Sequence, residues 1–136
     1  AKSASFIQAF IKIGLIPDSG GTYFLPRLIG LPKATALMMT GESVSAEKAE
    51  QMGMIYAVFE DGEFESKSLE LAKSISEMPT KGLGYTKKLL NYSLNNSLDD
   101  QLNLEAETQA LSAKSEDHKE GIQAFLEKRS PVFTGK

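Results

Sequence analysis

Cysteine is absent from the 136 residues and histidine occurs once. Without a thiol there is no disulfide framework, no cysteine nucleophile and no Cys-ligated zinc. One imidazole is a poor basis for a His-rich metal site or a His-based triad. No apolar run approaches the roughly 20 residues that span a bilayer. The N-terminus lacks the charged-then-apolar plan of a signal peptide, so a cytoplasmic location is expected. Internal repeats, low-complexity tracts and flexible linkers are missing too. So is an excess of either charge: 15 Lys+Arg stand against 18 Asp+Glu, a formal −3, with a pI near 5.2. That balance argues against nucleic acid or an anionic membrane as the main partner. The chain opens Ala1-Lys2-Ser3 with no initiating Met, which leads us to expect a processed or truncated product.

What remains is 41% hydrophobic and 24% charged residues, the balance of one soluble globular domain. Residues 4–10 form a short apolar stretch compatible with a strand. Lys12 to Thr22 reads as a loop by its Pro and three Gly. Asp18 or Ser19 is placed to cap a helix starting near Gly20, kept short by Pro26 and Gly30. A second helix follows Pro32 and ends at Gly41; its apolar residues on more than one side predict deep burial. Ser45 caps a third helix, with Glu47 in its first turn and Gly53 as its stop. The apolar run Met54–Phe59 reads as a buried strand, whose neighbours this chain scarcely supplies. They are expected upstream or in another copy.

Beyond the Asp61-Gly62 turn the pattern is helical. Leu71, Ala72, Ile75 and Met78 share one face until Pro79 breaks the helix. A second piece spans about 80–95. Ser97-Leu-Asp-Asp100 is a capping-box pattern, and behind it Leu98, Leu102, Ala106, Ala110 and Ala113 form one stripe. Leu104 and Leu111 occupy another face. Two apolar faces on one helix suggest packing on both sides, for which a subunit interface is one natural cause. A last helix carries Ile122, Phe125 and Leu126 and stops at Pro131.

The stretch most able to carry chemistry is Gly14-Leu-Ile-Pro-Asp-Ser-Gly-Gly-Thr22. A Gly pair at a helix start favours anions, but no Gly-Lys-Ser/Thr follows and the spacing is not a dinucleotide fingerprint. Asp18 stands in sequence among Leu15, Ile16, Pro17, Tyr23 and Phe24. A carboxylate beside apolar groups can act as a base, and on spacing alone it can equally be a helix cap. Arg27 reads as structural pairing, His118 as a solvated imidazole, and Ser19 as a cap rather than a nucleophile.

That loop with its continuation to Leu25-Pro-Arg-Leu-Ile-Gly30, then Thr40-Gly-Glu42, then Ser45-Ala-Glu47 with Gly53-Met-Ile55, resembles the crotonase (enoyl-CoA hydratase/isomerase) superfamily. Glu120-Gly-Ile-Gln-Ala-Phe-Leu-Glu-Lys-Arg129 with Phe133 is similar to that family's ending. The Pro17-Asp-Ser-Gly-Gly-Thr22 run is most similar to its epoxyphenylacetyl-CoA isomerase branch. The resemblance implies an α/β fold, the crotonase-like ββα superhelix, with this chain as its mostly helical C-terminal portion. Residues 1–62 would end the core and carry the active-site loop, and 63–136 would be a helical trimerisation region. It implies an acyl-CoA thioester as substrate, two backbone N–H groups in the absent half that hold an enolate-like intermediate, a homotrimer or hexamer, and no metal or redox cofactor.

Hydratases of the family use two Glu. One of these would fall at position 10, where this chain has Phe10; the other would lie upstream. Where hydratases have Gly, this chain has Asp18, the position of the catalytic Asp in several isomerase-like relatives. One carboxylate suffices to move a proton between two carbons. The resemblance therefore implies Asp18 as base, with Ile16, Pro17 and Tyr23 at the acyl group; a packed Tyr23 is the structural alternative. Phe125 and Lys128 match positions that in some relatives reach a neighbouring subunit's CoA, near adenine and phosphate respectively. Phe125 as core and Lys128 as a favourable charge at a helix C-terminus are the structural alternatives. The expected activity is isomerisation, by shifting a double bond or rearranging an epoxide, in fatty-acid or aromatic catabolism. The rivals are a hydratase with its essential Glu upstream and a non-catalytic helical oligomerisation piece.

Overall fold

Ser5–Ile7 (β1) and Ser43–Ser45 (β2) pair antiparallel, with Phe6 opposite Val44, in the computed structural model, which describes residues 1–136. Between them come a 3₁₀ turn over Ala9–Ile13, α1 (Gly21–Ile29) and α2 (Leu31–Thr40); α3 (Ala46–Gln51) follows. These lie in the unit Ala1–Ser68. Its core is Leu25 and Ile29 of α1, Ala34 and Leu37 of α2, Val44 and Ala49. Burying each of the larger side chains contributes about 1.5–3 kcal/mol. Ser45 caps α3 as expected, accepting the Lys48 N–H at 3.3 Å.

Four expectations for this unit need correction. The strand expected over 4–10 is only three residues long, because its partner Ser43–Ser45 is equally short and the chain enters a 3₁₀ turn at Ala9. Pro26 does not limit α1, which runs through it and stops at Gly30, φ 81°. α2 is not deeply buried: only Ala34 and Leu37 are enclosed, while Met39 is exposed. Met54–Phe59 is irregular rather than a strand. Its backbone finds single partners instead of a ladder. Met54 N–H donates to the Ala49 carbonyl at 2.8 Å, Val58 N–H to Glu50 Oε1 at 3.0 Å, and the Phe59 carbonyl accepts Lys2 N–H at 2.9 Å.

The second unit is Leu69–Lys136. The chain enters it within α4 (Phe64–Ser76) and continues as α5 (Thr80–Ser93), α6 (Leu98–Ser112) and α7 (Glu116–Glu127). Ser97 caps α6 by accepting Asp100 N–H at 3.2 Å, and its hydroxyl donates to the Asp100 carboxylate at 2.6 Å. Ser115 caps α7 through His118 N–H at 3.1 Å. Along α6, Leu98, Leu102 and Leu111 are exposed and Leu104 is half-buried. No helix is long and apolar enough to cross a membrane.

Candidate active site

The Gly-rich loop is held by backbone alone. Leu15 N–H donates to the Phe10 carbonyl at 3.0 Å and Gly21 N–H to the Asp18 carbonyl at 2.8 Å. Ser19 at φ 51° and Gly20 at φ 80° are both left-handed, a conformation that a residue with a side chain seldom adopts. A Cβ at Gly20 would also stand 2.9 Å from the Phe24 ring, which would have to shift.

This backbone decides what Asp18 does. A side-chain cap needs an extended N-cap residue whose oxygen reaches the first turn, but the N-cap of α1 is left-handed Gly20, and no side chain caps the helix. The expectation that Asp18 or Ser19 caps α1 is therefore corrected. Asp18 contributes its carbonyl, and its carboxylate is exposed. The apolar neighbours do not enclose it either: Ile16 is 81% exposed, Leu15 is exposed and Pro17 half-buried. Tyr23 is half-buried, with the Arg27 guanidinium 3.6 Å over its ring and Phe24 edge-on at 5.1 Å. Arg27 also donates to the Tyr23 carbonyl at 2.8 Å, which is the structural pairing expected of it. Phe10 is half-buried on the 3₁₀ turn and offers no carboxylate.

Thus Ile16, Pro17, Asp18 and Tyr23 lie together on the loop and first turn of one unit. Phe125 and Lys128 belong to the other. Phe125 is 83% exposed, so the reading of it as core is corrected. Lys128 is the left-handed C-cap of α7 at φ 55°, with its N–H returning to the Ala124 and Phe125 carbonyls. Phe125 borders a groove of about 460 Å³ walled also by Tyr85, His118, Ile122 and Phe133.

Sequence reasoning missed what shapes that groove. The tail after α7 folds back along it. Asp117, only 3% exposed, accepts Thr134 N–H at 2.7 Å and Gly135 N–H at 2.9 Å on its two carboxylate oxygens. Glu120 accepts Val132 N–H at 2.8 Å and pairs bidentately with Arg129, at 2.6 and 2.9 Å. Arg129 above all, and then the Val132 amide, pull the Glu120 carboxyl down to about 2. Glu127 is also held low, first by Gln123 and then by Arg129. The one available signal was a carboxylate in the first turn of a Ser-capped helix. It does not reveal partners 17 and 18 positions away. Nowhere do three or more His, Asp or Glu side chains gather to hold a metal ion.

Residues 1–136 match the family described as enoyl-CoA hydratase/isomerase. The chain is 47% identical over its whole length to a 1,2-epoxyphenylacetyl-CoA isomerase of Escherichia coli K12, covering 52% of that protein. It is 43% identical to a probable enoyl-CoA hydratase of Rhodobacter capsulatus, covering 53% of it. All of the chain superposes on 53% of the crystal structure of an enoyl-CoA hydratase subunit I from Geobacillus kaustophilus HTA426, with a TM-score of 0.96 and 34% identity. The chain spans about half the length of the curated relatives it matches.

Proposed function

The chain belongs to the enoyl-CoA hydratase/isomerase family and has the crotonase fold, and from that premise we propose that it carries the proton shuttle of an acyl-CoA isomerase, with Asp18 as the base. The observation that supports this reading is the state of Asp18. Its loop is built by backbone hydrogen bonds and left-handed residues, so the carboxylate does no structural work and stays accessible. Phe10 removes the carboxylate that hydration would call for at that position. Within these residues, Asp18 is the side chain we assign to carbon-bound protons.

Double-bond migration needs no more than that. Asp18 takes a proton from the carbon next to the double bond, on the side nearer the thioester. The electron pair delocalises onto the thioester oxygen, which two backbone N–H groups of the family's oxyanion hole stabilise. Asp18 then returns the proton to the far end of the conjugated system, leaving the double bond next to the thioester. No water is consumed. Ile16, Pro17 and Tyr23 line the acyl group, and Phe125 and Lys128 meet the nucleotide end of a CoA bound to a neighbouring copy in a trimer or hexamer.

The similarity to a probable hydratase keeps hydration as the rival, with its base outside this chain. The test is steady-state kinetics of the complete enzyme carrying this chain, offered 3-enoyl-CoA. Asp18→Asn is expected to lower kcat by at least about a hundredfold with KM little changed, the mark of a group that acts in the transition state. An unchanged kcat contradicts the assignment.

A further inference from the structure

Residues 130–136 are not a loose end. They run back along α7, fixed at both ends by carboxylates that the proposed chemistry does not use. Glu120 holds Val132 N–H, and Asp117 holds the N–H groups of Thr134 and Gly135. The carbonyl of Lys136 accepts Glu116 N–H at 2.8 Å and Asp117 N–H at 3.3 Å, so the same segment satisfies two of the orphan donors at the start of α7. A buried carboxylate costs several kcal/mol unless its oxygens are satisfied, and each oxygen of Asp117 has a backbone donor. Releasing the segment would take both donors from that carboxylate and the acceptor from the start of α7, so the segment and the helix end stabilise one another.

One glycine makes the arrangement fit, and a second marks where Phe133 packs. At Gly121 a Cβ would stand in ordinary contact with the Phe133 ring, 3.6 Å away, so Phe133 packs over this turn of α7. Gly135 is left-handed at φ 76°, and a Cβ there would come within 2.5 Å of Thr80 Oγ1 at the start of α5. Only glycine passes between that hydroxyl and the Asp117 carboxylate. Phe133, positioned between these anchors, is one wall of the groove that also presents Phe125.

We propose that residues 130–136 form a strap that sets the width of this groove, and that Asp117, Glu120 and Gly135 are positioning residues for the nucleotide end of the acyl-CoA lying against Phe125. This rests on the reading of Phe125 and Lys128 given above and deepens it. None of the three need touch the substrate; they hold Phe133 where it lines the groove with Phe125. The groove then meets its ligand already shaped, which lowers the ordering cost of binding. The thioester end is untouched by the strap, so the effect belongs to binding and not to proton transfer.

The experiment uses the complete enzyme with Gly135→Ala, which obstructs the strap sterically while keeping every charge, and Asp117→Asn, which keeps the shape while replacing one acceptor oxygen by a donor. Amide hydrogen exchange at Val132, Thr134 and position 135 reports the strap. Kinetics with an acyl-CoA and with the matching acyl-pantetheine thioester, which lacks the nucleotide, report the groove. Both variants are expected to speed exchange at those amides by at least about tenfold. They should raise KM for the acyl-CoA by about tenfold at nearly constant kcat, and leave KM for the pantetheine thioester unchanged. A freed strap with an unmoved KM overturns the proposal, as does an equal rise for both thioesters or a strap that stays protected. Wild-type enzyme that turns over neither thioester defeats the functional reading itself, an outcome distinct from the other three.

Discussion

Asp18 is best understood beside carboxylates with structural work to do. Asp61 accepts the Ser3 hydroxyl at 2.6 Å, Asp117 accepts two backbone amides, and Glu120 grips Arg129. Asp18 gives its carbonyl to the loop and keeps its carboxylate exposed. That difference was half legible in the sequence. The Pro-Asp-Ser-Gly-Gly spacing marked the loop, but the same spacing also suits an N-cap, and only the left-handed backbone at Ser19 and Gly20 separates the two. Asp117 was illegible, because its donors are main-chain amides with no residue signature. Glu120 makes a prediction at this scale. Its folded pKa, about 2, lies below the ordinary 4.5, so its stabilising effect is complete above pH 4.5 and is lost as the pH falls through about 2. Arg129 and Val132 N–H face it as favourable partners, and Glu127 shares Arg129 with it. Amide exchange at Val132 should therefore accelerate on acidification across that window, and Glu120→Gln should flatten the response. An identical pH profile in wild type and Glu120→Gln would contradict it.

Among the elements, three helix boundaries were read correctly from local chemistry, whereas the cap and the proline stop expected for α1 were not. Gly41 ends α2, Ser45 opens α3 and Ser97 opens α6. Each signal is local, so one sequence carries it whole. Strands were misread in both directions for a matching reason: a strand is defined by its partner. Ser43–Ser45 pairs with Ser5–Ile7 although it is three residues long with Val44 as its one apolar side chain, too short for an alternation to show. Met54–Phe59 has a strand's composition and no ladder. The cap of α7 yields the prediction here. Ser115 accepts His118 N–H and donates to the Ser112 carbonyl at 2.7 Å, within a nearly buried residue. Ser115→Ala should cost about 1 kcal/mol and lower Tm by a few degrees. Ser97→Ala, at an exposed cap, should cost no more than this. Thermal unfolding of both variants checks the order, and a neutral Ser115→Ala would contradict it.

For the molecule as a whole, the apolar surface is the main fact. Ile13, Ile16, Leu31, Met39, Leu98, Phe125 and Leu126 are all exposed, more than the scattered single residues of an ordinary soluble surface. On α6, Leu98 and Leu102 of one face and Leu111 of the other are exposed too, while Leu104 is half-buried. In the trimer or hexamer we propose, the apolar faces of α6 meet other copies. Leu104→Glu together with Leu111→Glu should lower the mass measured by light scattering, and an unchanged mass would refute that interface. The family was legible because long motifs persist in order along the chain. The choice between isomerase and hydratase was not, because it turns on one carboxylate and on groups outside these residues.

That choice is the central claim, and one comparison tests it most directly. The complete enzyme, with and without Asp18→Asn, would be offered 3-enoyl-CoA and 2-enoyl-CoA while the conjugated thioester is followed by its absorbance. The account predicts that the wild type forms the conjugated thioester from the 3-enoyl substrate and that Asp18→Asn abolishes this. Hydration of the 2-enoyl substrate that survives Asp18→Asn, with no isomerisation by the wild type, would contradict it and move the chemistry away from Asp18.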